Sequence, residues 1–219
     1  MKLKIYLFRH AQTFYNRDHT FTGWKDSRLT QLGVIQAKKL GRLLKGKQID
    51  LAFCSRLSRS KQTLSSILRF HPECTKVVVD DRIIERSYGK LEGTSHHEYL
   101  KHMAQKYCGV IRHWHNVDHL SSEEKMQIQK LCEIDLHDVR RSYDLVPKGG
   151  ESIKMVEKRV NGFIRDLLRL MKKEKVNVAI SAHGNSMRPF RRYFEKLSID
   201  EMMKLENPWD EYFEYTVEV

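Results

Sequence analysis

The chain has 219 residues, of which 40% are hydrophobic, enough for the core of one compact domain. No run of 18 apolar residues occurs, which excludes a transmembrane helix, and the first residues lack the apolar stretch and small-residue cleavage site of a signal peptide. Forty Lys and Arg against 28 acids give a formal net charge of +12, which permits an anionic partner (phosphorylated metabolite, nucleic acid or anionic lipid) without choosing one. The basic residues follow helical stretches such as Lys38-Lys39…Arg42…Lys45 without interleaved aromatics, which argues against nucleic acid. Cys54, Cys74, Cys108 and Cys132 form no CxxC pair and read as the reduced thiols of a cytoplasmic protein.

In chain order, Lys4 to Phe8 reads as a first strand, with Leu3, Ile5 and Leu7 alternating. Thr30 to Lys45 carries Leu32, Ile35, Leu40 and Leu43-Leu44 at helical spacing. Ile49 to Cys54 is a short apolar run, hence a second strand. Arg59 to Phe70 reads as a helix and Lys76 to Val79 as a third strand. The segment 94–144 breaks the rhythm: it is polar, helical in character and rich in His and Lys, and is expected to form a helical lid inserted over the sheet. A long helix over Ser152 to Lys172 and an apolar strand over Val176 to Ser181 follow. The tail from Asn207 alternates like an edge strand, with Phe213, Tyr215 and Val217 on one face, and is expected to close the sheet rather than cover the site. Strands alternating with helices predict an α/β fold, mostly parallel, with helices on both faces and one domain over 1–219.

Polar groups stand where the strands end: Arg9-His10, then Ser55 to Arg59, then Glu85 to Gly89, then His183-Gly184-Asn185-Ser186. Parallel strands bring their carboxyl ends to one edge, where ligands bind in such folds. Two histidines, two arginines and a carboxylate gathered there suit phosphoryl transfer, which depends on positioning and on neutralising the equatorial oxygens.

Six segments in this order carry a family resemblance. They are Arg9 to Thr13, Phe21 to Asp26, Ser55 to Thr63, Glu85 to Gly93, Gly149 to Ser152 and Ala182 to Ser186. Together they resemble the histidine phosphatase superfamily, which includes cofactor-dependent phosphoglycerate mutases and acid-type phosphatases. The resemblance implies that His10 becomes phosphohistidine, that Arg9, Arg59 and His183 surround the phosphoryl group, and that Glu85 protonates the leaving oxygen. It implies that Asn16, Thr22, Gly23, Gly184 and Asn185 contact phosphate or substrate, that Tyr88 lines the substrate side, and that no metal is required. Arg140-Arg141 resembles the arginine pair with which mutases hold a substrate carboxylate and second phosphate.

The acceptor divides two readings. Phe21 to Trp24, His183 to Arg188 and Arg140 to Asp144 lean toward a mutase, which would use 2,3-bisphosphoglycerate as primer. Ala11, the Gln12-Thr13 pair, His96 in place of a substrate-binding lysine, and the altered spacing between Gly93 and Gly149 lean toward hydrolysis of a small phosphomonoester, the favoured reading. A silent phospho-ligand-binding protein ranks lower, because His10, Arg59, Glu85 and His183 are all in place. Seven of the eleven histidines lie between His96 and His137; His115 and His119 have a ligand-compatible helical spacing for zinc, weighed against a solvated lid that attracts anions. A homodimer is left open.

Overall fold

The computed structural model describes residues 1–112 and 120–218. Five strands form one sheet: β1 (Lys2–Arg9), β2 (Leu51–Cys54), β3 (Lys76–Val79), β4 (Val178–Ala182) and β5 (Tyr212–Glu218). Their order is β3-β2-β4-β1-β5, with all neighbours parallel except the β1–β5 pair. The expected mostly parallel α/β sheet is therefore present.

β4 is the most enclosed strand, with all five residues of Val-Ala-Ile-Ser-Ala buried, as a central parallel strand covered on both faces must be. β1 sorts its side chains between the two faces. Leu3, Ile5 and Leu7 join the core under α6 (Ile153–Glu174) and α7 (Gly184–Glu195), while Tyr6 and Phe8 join the core under α2 (Gln31–Leu44) and α3 (Ser58–Leu68). α6 earns its place through Ile153, Val156, Val160, Phe163, Ile164, Leu167 and Met171, one buried stripe at three- and four-residue spacing. Ser152 caps its start by accepting the Met155 amide at 3.2 Å, and Lys175 ends it in the left-handed region at φ 58°.

The tail pairs antiparallel with β1, setting Phe213, Tyr215 and Val217 opposite Leu7, Ile5 and Leu3. It closes the sheet as its alternation predicts. The preceding residues behave differently from the expectation: Asn207 and Trp209 line the site, because their backbone turn lies beside Arg9.

The segment 94–144 contains two helices, α4 (His96–Arg112) and α5 (Ser122–Arg141). α5 begins in a reciprocal cap between Ser121 and Glu124. Tyr99, Met103, Leu120, Ile128, Cys132 and Val139 make a third core with Phe21 and Tyr88. Buried Arg86 ties this unit to the sheet: its guanidinium donates to the carbonyls of Val139 (2.9 Å), Leu145 (2.9 Å) and Glu151 (2.6 Å). The remaining helices, α1 (Phe14–Arg17) and α8 (Ile199–Lys204), are short.

Candidate active site

The carboxyl ends of β1, β2 and β4 meet because these strands are adjacent and parallel. β1 ends at Arg9 and presents His10, whose amide continues the ladder to the Ala182 carbonyl at 3.0 Å. β4 ends at Ala182 and presents His183 at the N-terminus of α7. Their rings lie 4.9 Å apart between centroids, tilted by 56°.

A hydrogen bond assigns the tautomer of the His10 ring. His10 Nδ1 lies 2.8 Å from the Ala11 carbonyl, which can only accept. Nδ1 therefore carries the proton and Nε2 keeps its lone pair. His183 Nε2 lies 2.8 Å from Ser55 Oγ, while its buried Nδ1 has no partner among the described residues. A hydroxyl can donate or accept, so the Ser55 contact permits the tautomer with the His183 proton on Nδ1, the one that offers a donor to an anion.

Both rings stay neutral. Burial pushes the His10 pKa well below the ordinary value, and the Arg59 and Arg9 cations push the same way. His183 is lowered likewise, first by burial and then by Arg59 and His10. Arg59, fully buried at the start of α3, donates to the carbonyls of Gly23 at 2.8 Å and Lys25 at 3.0 Å. Burial lowers its pKa to about 10, against the opposing pull of Glu85 and Asp26, so it remains a cation. Arg9 donates to the Asn207 carbonyl at 3.1 Å and stacks on Trp209, its guanidinium carbon 4.9 Å from the ring centroid.

Buried donors without partners concentrate here. Among the described residues, Arg9 Nε, Arg59 Nε, His183 Nδ1 and Trp209 Nε1 are buried and unbonded; His71 Nε2, elsewhere, is the remaining case. Buried polar atoms are almost always hydrogen-bonded, so this grouping marks a place built for an acceptor-rich anion.

Glu85 Oε1 accepts the amides of Arg86 at 2.8 Å and Asn185 at 3.1 Å, which fixes the carboxylate. Arg159 holds the same loop from beneath, donating to the carbonyls of Arg82, Ile84 and Glu85 and pairing with Glu151 at 3.0 Å. Ligand atoms of His10, Glu85 and His183 fall within 4.8 Å of one another. That spacing fits a metal, but the arginine field that depresses both histidines opposes a cation equally.

A cavity of about 330 Å³ is lined by Arg9, Glu85, Gly184 and Asn185, and by Arg140, Arg141 and His96; His10, Arg59 and His183 are not part of its lining. Asn16, Thr22, Gly23 and Tyr88 also line it, so every substrate-side residue expected from the sequence is gathered there. Asn16 Oδ1 is occupied by the Thr13 amide at 3.1 Å, in the cap of α1, leaving its amide nitrogen for a ligand. Tyr88 packs on Phe21 at 5.0 Å and accepts from Asn185 Nδ2 at 3.4 Å. Arg141 is paired with Glu206 at 2.7 Å, whereas Arg140 has no hydrogen bond or ion pair with described residues. His96 is held neutral, its pKa lowered to about 4 by burial and then by Arg140.

Sequence reasoning missed Tyr15, His19, Glu206, Asn207 and Trp209 in this lining, none of which stands at a strand end. His115 and His119, the proposed zinc pair, lie outside the described residues. No helix among the described residues is long and apolar enough to cross a membrane.

A parallel sheet whose carboxyl edge gathers two neutral histidines, two arginines and a fixed carboxylate defines an anion-handling α/β enzyme. The chain belongs to the histidine phosphatase superfamily (branch 1), whose family model matches residues 5–133 and 124–213. It is 35% identical, over 92% of its length and 86% of the relative's, to a 2,3-bisphosphoglycerate-dependent phosphoglycerate mutase of Nitrobacter hamburgensis. Its fold is similar to the alpha-ribazole phosphatase of Shigella flexneri (TM-score 0.70, 21% identity, 97% of this chain and 89% of that one). It is likewise similar to a phosphoglycerate mutase of Bacillus anthracis (TM-score 0.68, 19% identity, 99% and 88%). A phosphatase and a mutase thus share this architecture.

Proposed function

We propose that the protein hydrolyses a small phosphomonoester carrying a second anionic group, through a phosphohistidine on His10. The grouped unbonded donors of Arg9, Arg59 and His183 carry this reading, since a phosphoryl group supplies the three acceptor oxygens they lack. His10 Nε2 attacks phosphorus, and the P–N bond forms as the ester P–O bond breaks. The Nδ1 proton, held by the Ala11 carbonyl, steadies the ring and the positive charge that develops on it. The Glu85 carboxyl gives its proton to the leaving oxygen; the carboxylate then takes one from the water that attacks phosphorus, and the P–N bond breaks to return its electron pair to His10 Nε2 and release phosphate. Arginine guanidiniums supply the positive charge, and no step calls for a metal.

The far wall supports hydrolysis over isomerisation. A bisphosphate primer brings a second dianionic group, yet Arg141 is already paired with Glu206 and His96 is neutral. Arg140 has no ion pair among the described residues, leaving a charge suited to one carboxylate or a single phosphate oxygen pair. The two helices of segment 94–144 act in this reading as a lid that carries Arg140 over the substrate. A second reading, bisphosphoglycerate-dependent mutase, is favoured by the presence of both Arg140 and Arg141 in the cavity and by the identity to mutases.

The deciding assay incubates the enzyme with 3-phosphoglycerate, with and without 2,3-bisphosphoglycerate, beside an aryl phosphate. Phosphate release from both esters without isomerisation is expected. Primer-dependent formation of 2-phosphoglycerate with little free phosphate would replace hydrolysis by the mutase reading.

A further inference from the structure

The segment between α8 and β5 does more than connect them. Asn207 accepts from Arg9 through its carbonyl and donates from Nδ2 to the Gly184 carbonyl at 2.9 Å. Arg191 fixes the turn from the other side, donating to the Glu206 carbonyl at 3.0 Å and to Asn207 Oδ1 at 3.2 Å. Arg191 is itself held by Glu195 at 2.9 Å and by the Phe213 ring, whose centroid lies 4.0 Å from its guanidinium carbon. The turn is therefore rigidly mounted between α7 and β5, and it delivers Trp209 to the cavity wall.

Two features of Trp209 are independent. Its ring stacks on Arg9 at 4.9 Å, within the range of a cation–π contact, which limits the rotamers of a long side chain next to His10. Its indole nitrogen is a buried donor without a partner among the described residues, beside a cavity that takes an anion. Tryptophan nitrogens normally find a partner when buried. The Arg9 contact cannot serve that nitrogen, because a guanidinium has no acceptor.

We propose that Trp209 is a positioning and specificity residue of this site: its ring sets Arg9 against the transferred phosphoryl group, and its indole N–H binds an acceptor oxygen on the part of the ester that is not transferred. The inference rests on the phosphomonoester reading above. An indole donor favours esters with a carboxylate, hydroxyl or second phosphate over esters of a bare hydrocarbon. It discriminates by leaving a buried donor unpaired when such an oxygen is missing.

Two substitutions separate the functions. Trp209→Phe keeps an aromatic face for Arg9 and removes the donor; Trp209→Leu removes both. Calorimetry on the full chain gives the affinity for inorganic phosphate and for 3-phosphoglycerate, and steady-state kinetics on phenyl phosphate report kcat and KM. Trp209→Phe is expected to weaken 3-phosphoglycerate about threefold to tenfold more than it weakens inorganic phosphate, and to lower kcat on phenyl phosphate less than Trp209→Leu does. Trp209→Leu is expected to weaken phosphate as well and to lower kcat on phenyl phosphate about tenfold. Wild-type affinity for 3-phosphoglycerate in Trp209→Phe would overturn the donor role, and wild-type phosphate affinity in Trp209→Leu would overturn the positioning role. Failure of the unmodified protein to bind phosphate would instead overturn the reading of the site itself.

Discussion

Mild acid should destabilise this protein through its two site histidines, and the size of the effect follows from their burial. Both rings are neutral in the fold, with pKa values held well below the ordinary 6.5 by burial and by neighbouring arginines. In the unfolded chain each titrates near 6.5. A group depressed in this way costs no stability above about pH 6.5; as pH falls below it, protons bind the unfolded chain first and stability drops. For a ring that binds no proton in the fold, the linkage relation from pH 7 to pH 5.5 gives a loss of at most about 1.3 kcal/mol, hence at most about 2.5 kcal/mol for the pair. Replacing His10 or His183 by Gln removes one titrating group. Each variant should therefore lose stability less steeply than wild type over this interval, by at most about 1.3 kcal/mol. Urea unfolding followed by circular dichroism at both pH values, in buffers free of phosphate and sulfate, measures the difference of differences. The same pH dependence in wild type and both variants would refute the claim that these rings are buried uncharged.

Glu85→Gln should keep the two amide contacts to Oε1 and lose the transferable proton. Its kcat should fall at least about a hundredfold with alkyl phosphates and far less with activated aryl phosphates; equal slowing would remove Glu85 from the leaving-group step. Gly23→Ala should destabilise by about 1–3 kcal/mol and weaken phosphate binding, measured by thermal unfolding and calorimetry. Gly23 sits at φ 49°, an added Cβ would lie 2.1 Å from Glu92 Oε1, and Glu92 is pinned by the Tyr88 amide and Ser87 hydroxyl, so the Arg59 anchor at the Gly23 carbonyl must shift.

The chemistry at the strand ends was legible because a parallel sheet makes carboxyl ends converge whatever the loops do. Arg9, His10 and His183 needed only the β1 and β4 assignments. Element limits were close but shifted: the apolar run at Val176 starts pairing two residues later, since the Asn177 side chain is spent capping Lys4 and its carbonyl receives Asp50. Less legible were cations turned inward. Arg86 and Arg159 look like solvated charges in sequence, yet both satisfy several carbonyls inside the molecule and hold the Glu85 loop in place. Asn207 and Trp209 escaped notice for another reason. They belong to a turn whose position depends on tertiary anchoring by Arg191, and no periodicity reports that. Neither charge nor spacing in the sequence reveals that Glu206 reaches Arg141, a pair separated by 65 residues.

The central claim is that His10 carries the phosphoryl group. Rapid quenching of the enzyme in alkali during turnover of an aryl phosphate, followed by peptide mass spectrometry, tests it directly. The account predicts an alkali-stable, acid-labile phosphoryl group on the peptide containing His10, absent together with turnover in His10→Ala. Turnover that persists in His10→Ala, or a phosphoryl group trapped on another residue, would contradict it.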